Sequence, residues 1–327
     1  MVSDSVKRIN SLLDKAEVKI ANVFRSAIFA LKDEIDLKAL ADLIEAGDLE
    51  QALGLLKDAA EKLGAASTVV FIGAGESTAQ FLTGAGVGKI NFDAINLRGV
   101  RAMRENQLDL IREFIDGQRN TLRAVMTEGI ARGLAPIDQA RQFRSVVGLT
   151  QRQSEYVGSY RALLESVGRA DVSAAVQARA LERALRDQRS DSVIRSAINR
   201  SRALPQKQID SMVERYYNRW VKHRAETIAR TEALSAVHQG VDEAFSQAID
   251  SGVIDQDDLI GTWHSARDNR VRDSHLTLNG QKRKRGQTWA VAGGELRYPG
   301  DPLAPAGERI KCRCVVTWQI KANDAYA

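Results

Sequence analysis

Cysteine is nearly absent from this chain of 327 residues, which has two, both in a single Cys312-Arg313-Cys314 run. That excludes the disulfide framework of a small secreted protein. Proline is scarce as well, with five residues and none before Pro136. Over the first 135 residues only glycine interrupts a helix. Aromatic residues make up 6%, which suits long helices packed through Ala, Leu, Ile and Val. The opening residues lack the apolar core of a signal peptide. No run of eighteen apolar residues marks a membrane span. The excess of positive charge is small, +5 with a pI near 9.2. It permits an acidic partner without singling out nucleic acid.

What is present is helical periodicity. Ile9, Leu12, Leu13, Ala16, Ile20, Val23 and Phe24 recur at spacings of three and four, as on one face of a helix. The pattern resumes at Leu37–Ile44 and again from Leu49 to Leu63. Ser67 to Ser77 has the look of a strand entering a dinucleotide-binding turn. Its third glycine position is Thr78, and no strand–helix alternation follows. A helix or loop in tight packing is the expectation there. A membrane-active segment over residues 65–88 and a nucleotide site are the other readings. Pro136 and Asp138 predict a helix start, and Thr150 with Gln153 predicts a capping box. Residues 170–203 are rich in arginine, partly offset by aspartate and glutamate. This is a pattern of a solvated helix face or of a surface that meets phosphates. Leu204-Pro205 opens a long helix whose apolar stripe runs from Ile209 to Ile249.

After Gly252 the character changes. Three of the four tryptophans, both cysteines, two of the four histidines and three of the five prolines fall between Trp263 and Trp318. Leu259–His264 and Ile310–Trp318 read as strands, separated by turn signals at Asn279-Gly280 and Pro299-Gly300-Asp301-Pro302. The expected fold is a mainly α N-terminal body of long helices with a small C-terminal α+β module. Its expected divisions are a helical region at 1–119, a second at 120–203, and the long helix plus module at 204–327.

The module holds the chemistry. His264, His275, Cys312 and Cys314 are the donor types of a tetrahedral zinc site. On a regular strand the two cysteines lie about 6.6 Å apart at Cα, so shared coordination needs a bent backbone. Zinc binding, a buried pair of reduced thiols beside a histidine, and a Cys312–Cys314 disulfide are three states this set allows. Asp268, His275 and Asp301 are candidate acid–base groups, and a metal would permit nuclease chemistry. No nucleophile elbow is present. Lys282-Arg283-Lys284-Arg285 reads as an exposed loop, either a solvated hairpin end or a contact for DNA phosphates.

Five separated blocks occur in one order: Arg230-Thr231-Glu232 on the long helix; Trp263 with Asp268-Asn269-Arg270-Val271-Arg272-Asp273-Ser274-His275; Gly280-Gln281; Tyr298-Pro299-Gly300-Asp301-Pro302; and Cys312-Arg313-Cys314. Over about residues 205–316 this pattern resembles the phage head morphogenesis family, the phage Mu protein F-like minor head proteins. The resemblance implies a minor virion protein at the portal or the capsid interior, with roles in head assembly and in genome retention or ejection. It implies portal and capsid proteins as partners, an oligomeric setting and genomic double-stranded DNA nearby; the module's residue types, with no nucleophile elbow, lead to the expectation that the chain is not an enzyme. Many members carry Cys-x-x-Cys where this chain has Arg272-Asp273-Ser274-His275. That leaves His275, Cys312 and Cys314 as a partial set, to be completed by His264 or Asp268. A metal-dependent nuclease and a membrane-active ejection protein are the alternatives.

Overall fold

A computed structural model of the chain describes residues 4–321 except Arg267, and residues 106–109 by their backbone only. Among the described residues ten α-helices come first: α1 (Asp4–Glu34), α2 (Leu37–Ala46), α3 (Leu49–Gly54), α4 (Lys57–Gly84), α5 (Leu97–Ala131), α6 (Pro136–Val146), α7 (Gln151–Ser166), α8 (Ala174–Ala178), α9 (Asp191–Asn199) and α10 (Gln206–Asp250). The module follows: β1 (Leu259–His264), α11 (Asp273–Leu276), β2 (Lys282–Lys284), β3 (Trp289–Val291), β4 (Gly294–Leu296), α12 (Ala306–Arg309) and β5 (Val315–Ile320). The protein is thus mainly helical with a small C-terminal module of antiparallel strands, as the sequence predicts.

Local chemistry explains the boundaries. Asp36 starts α2 by accepting hydrogen bonds from the Lys38 and Ala39 amides, and Gly47, at φ +70°, ends it. Pro136 sits in the first turn of α6. Thr150 and Gln153 form a reciprocal capping box on α7. On α1, Ile9, Leu13, Ala16, Ile20 and Phe24 are buried, so its periodic stripe is its core face.

The chain forms two compact units, neither of them a continuous stretch of sequence. One comprises Arg25–Ala60 and Arg112–Arg224. Its centre is the turn at residues 147–149. Gln118, fully buried, donates to the Leu149 carbonyl (2.9 Å) and accepts from the Gly148 amide (2.8 Å). Tyr217 donates its hydroxyl to the Val147 carbonyl (2.8 Å), and Arg224 donates to Gly148 O (2.7 Å). Thr121 donates to the Leu149 carbonyl as well (3.1 Å), so four inward polar side chains satisfy a buried turn that water cannot reach. The arginine-rich segment in this unit is more than a solvated face. Asp187 is buried and gathers Arg189, Arg215 and Arg219 at 3.0, 3.0 and 3.1 Å.

The other unit comprises Met1–Phe24, Glu61–Ile111 and Ala225–Ala327. The glycine-rich segment is an uninterrupted part of α4, and Gly75 in it serves packing. A Cβ on Gly240 of α10 would lie 2.3 Å from the Phe71 carbonyl oxygen and 3.0 Å from Ala74 Cβ. A Cβ on Gly75 would lie 2.3 Å from the Phe92 ring. Small residues let α4 and α10 cross with their backbones nearly touching. Among the described residues, no helix is long and apolar enough to cross a membrane.

The module's sheet has the order β2-β1-β5, antiparallel throughout, with Trp263 opposite Val316 and Gly261 opposite Trp318. β3 and β4 form a separate hairpin. Trp263 and Trp289 are fully buried, with ring centroids 5.6 Å apart, and Trp289 lies 6.5 Å from Trp318. Gly261 makes room for them: a Cβ there would lie 2.9 Å from Trp318 and 3.0 Å from Trp289. Trp318 in turn meets Phe245 of α10 at 6.1 Å. Three short strands are marginal alone, and this aromatic layer against a helix supplies the missing burial. β5 starts at Val315 rather than at Ile310, because Lys311 adopts φ +57°, a left-handed conformation that ends an extended run.

Candidate metal centre

Cys312, Arg313 and Cys314 lie between the left-handed Lys311 and the start of β5, outside any strand. Lys311 lies outside any strand and donates its amide to Thr231 Oγ1 of α10 at 3.2 Å. The Thr231 hydroxyl in turn donates to Thr227 O at 3.0 Å. A side chain of the long helix therefore braces a backbone conformation that costs a non-glycine residue about 1 kcal/mol or more. Beyond the bend, the Cys314 amide points at Cys312 Sγ (3.5 Å).

The histidine arrives from the other side. Asn279 Oδ1 accepts from the Ser265 amide (3.0 Å), and Gly280, at φ +81°, donates to Trp263 O (2.8 Å). These bonds close the loop that follows β1 and hold α11, on which His275 is 1% exposed. His275 Nδ1 lies 3.3 Å from Cys312 Sγ and 3.6 Å from Cys314 Sγ. The three donor atoms all fall within 4.8 Å of one another. On the far side of the ring, Glu308 Oε2 of α12 stands 2.8 Å from Nε2, off the line of a directed N–H bond. Ser274 donates to that same oxygen at 2.9 Å. The Trp263 ring meets His275 edge-on at 5.4 Å.

Electrostatics distinguish the two thiols. A hydrogen bond from Cys314, with help from His275, pulls the Cys312 thiol well below its ordinary range against the opposing effect of burial. The same bond and burial push Cys314 up.

Two arginines lace the flanks of the group. Arg313, between the cysteines, pairs with Asp268, whose carboxylate also accepts from the Arg270 amide at 2.9 Å. Arg313 foremost, with that amide, holds the Asp268 carboxyl well below the usual range. Arg272 donates to the Ile310 carbonyl just before the bend.

The model of the family described as phage Mu protein F like protein matches residues 120–317, more than half of the chain. The chain belongs to the phage Mu protein F-like family. No curated protein and no solved structure matches it. At the family level it is a phage head morphogenesis protein, of a family that is generally structural rather than enzymatic.

In this Mu F-like chain the remaining motif residues are fastenings of the module. Gly300, at φ +80°, abuts α10: a Cβ there would lie 3.0 Å from both Leu234 Cγ and the Ser235 amide nitrogen. Tyr298 stacks on His238 at 6.1 Å, and Pro299 is buried beside it. Asp301, 2% exposed, accepts from Arg297 Nη2 (2.7 Å), the Arg297 amide (3.0 Å) and the Leu303 amide (3.0 Å). Burial works to raise its pKa, but these bonds outweigh it and the net shift is downward. Arg230 reaches Glu17 of α1 at 2.5 Å, and Glu232 is buried on α10.

Two expectations are placed differently. His264 is not brought to the cysteines. It neighbours Trp263 on β1, so it faces the opposite side of the sheet, where its Nε2 meets Thr317 Oγ1 at 2.8 Å. The basic run is an edge strand and its exit rather than a loop. Arg285 is committed to Asp242 and Ser246 of α10 and lies over Trp318 at 5.0 Å. Arg283 donates to Gln281 and to the Thr288 carbonyl. Lys282 and Lys284 are exposed, with Lys284 3.5 Å from Asp257. Lysines on an exposed edge disfavour pairing with another strand. Thr231 as a brace, Glu308 behind the histidine, and the Arg285 clasp are roles that spacing alone does not reveal.

Proposed function

We propose that this chain is a minor virion protein, associated with the portal or the capsid interior, that acts in head assembly and in retaining or delivering the genome. One observation carries the reading: the charged and polar motif residues are spent on one another and on the backbone. Asp268 binds Arg313, Asp301 binds Arg297, Arg272 holds a carbonyl, and Thr231 braces Lys311. A reaction centre needs groups free to meet a substrate. Here Asp268, His275 and Asp301, the groups a nuclease would draw on, each have different partners. Their arrangement suits a rigid anchor.

In this role the partners are the portal protein and other capsid proteins, in an oligomeric assembly. The exposed Lys282 and Lys284 are basic side chains of the module that can meet DNA phosphates. The test is quantitative mass spectrometry on purified virions and assembly intermediates, paired with a phage that lacks the protein. Low copy number in filled heads, and heads that fail to assemble or lose DNA in its absence, support the role. Absence from both virions and intermediates defeats it. Plasmid cleavage by the purified chain with Mg²⁺ or Mn²⁺ would replace it with the nuclease reading.

A further inference from the structure

We propose that His275, Cys312 and Cys314 form a binding site for one divalent zinc ion, with His275 coordinating through Nδ1 and Glu308 beside Nε2. The site is independent of where the protein sits in the virion. The argument begins with convergence. A ring nitrogen has one lone pair or one proton, so it satisfies a single hydrogen-bond partner in its plane. Two sulfur atoms nonetheless aim at Nδ1, at 3.3 and 3.6 Å. Bond lengths to zinc of about 2.3 Å for sulfur and about 2.0–2.1 Å for nitrogen give a tetrahedral N···S edge of roughly 3.6 Å. The observed separations match that edge, and all three donors are buried.

The surroundings fit as well. A metal-bound imidazole nitrogen must be unprotonated, which places the ring proton on the other nitrogen. That nitrogen faces Glu308 Oε2 at 2.8 Å, and Ser274 fixes the carboxylate from behind. A carboxylate beside the far nitrogen of a metal-bound imidazole is a usual outer-shell partner in zinc sites. Two thiolates and an imidazole are soft to borderline donors, which select Zn²⁺ over Mg²⁺ or Ca²⁺. The thiols lose their protons to solvent as the two S–Zn bonds form.

Among the described residues the group has three members. Arg272, one turn before His275, is directed to the Ile310 carbonyl instead. The fourth coordination position therefore falls to a non-protein ligand such as water. A site with three protein donors releases its ion to a chelator more readily than a closed four-donor site does.

The experiment uses the full chain purified under reducing conditions. Elemental analysis is expected to give one zinc per chain. Stripping it with a chelator and adding Co²⁺ is expected to give a thiolate-to-cobalt absorption band and the visible bands of a tetrahedral ion. His275→Ala and Cys314→Ser abolish both. Glu308→Gln keeps the cobalt spectrum but lowers zinc affinity about 10–100-fold in chelator competition, the usual loss for an outer-shell partner. Because loss of a buried ligand can itself unfold the module, the Co²⁺ titration of the unaltered chain decides alone. A folded, metal-free chain that gives no cobalt spectrum, and whose melting Zn²⁺ does not shift, overturns the proposal and leaves a hydrogen-bonded cluster. So does an unaltered chain with no free thiols after denaturation and metal removal, which would mean a Cys312–Cys314 disulfide.

Discussion

Replacing Gly300 by alanine separates two costs that the structure makes distinct. Gly300 is left-handed, at φ +80°, and an L-residue there costs about 1–2 kcal/mol. Its new Cβ would also lie 3.0 Å from Leu234 Cγ and 3.0 Å from the backbone nitrogen of Ser235. The leucine can turn aside, but a backbone atom inside α10 cannot. Forcing an extra methyl into such a contact costs about 1–3 kcal/mol more. The expected loss is about 2–5 kcal/mol, the sum of the two effects. Gly280 is the control. It has nearly the same φ, +81°, but a Cβ added there would meet nothing within 4 Å. Gly280→Ala should therefore cost only the conformational part, about 1–2 kcal/mol. Urea unfolding followed by tryptophan fluorescence measures both, since Trp263, Trp289 and Trp318 all report on the module. Equal losses for the two variants would refute the close approach of this loop to α10.

Other outcomes follow from the same contacts. His238 is completely buried, which lowers its pKa from 6.5 to about 3. A base whose folded pKa is depressed contributes stability that is fully present above 6.5 and is lost as pH falls towards 3. At pH 5 the loss is about 2 kcal/mol, and His238→Phe should reduce the slope of stability against pH between 6.5 and 5; an unchanged slope contradicts the burial. Arg285→Ala should cost about 1.5–3 kcal/mol in thermal or urea unfolding, the range for a hydrogen bond to a charged group, since Asp242 stays a third exposed to water. Lys282→Ala should stay within about 0.5 kcal/mol of the unaltered chain, as an exposed edge substitution does. Gln118→Leu in the other unit leaves the Gly148 amide without this partner, while Thr121 still donates to the Leu149 carbonyl, and should destabilise by about 1–3 kcal/mol.

Much of the architecture was legible because it follows from period and punctuation. The stripe from Ile209 to Ile249 marks α10, the Thr150–Gln153 pair marks the start of α7, and β1 runs from Leu259 to His264 as its pattern suggests. What spacing hides is conformation that breaks its own rule. The left-handed Lys311 carries no glycine signal, so the apolar pattern starts the strand at Ile310 and strings the cysteines along it. Glu308 sits in a four-residue helix with no pattern to connect it to His275. The separation of His264 from the cysteines was in principle readable, since neighbours on a strand face opposite sides and Trp263 is the apolar one. A run of four basic residues likewise looks uniform until strand geometry and α10 give Arg285 a different environment from Lys284. Asp187 was masked by the charge around it: composition records a mixed surface, while only folding shows one acid buried among three arginines.

The central claim is that the family motif works as an anchor rather than as a reaction centre. The most direct test plots plating efficiency against module stability for phage carrying substitutions at Thr231, Asp268, Arg272, Gly300, Asp301 and Arg313. An anchor predicts a single curve, with infectivity falling only as the module unfolds. A variant as stable as the unaltered protein that assembles normal heads, yet yields no plaques, would contradict it.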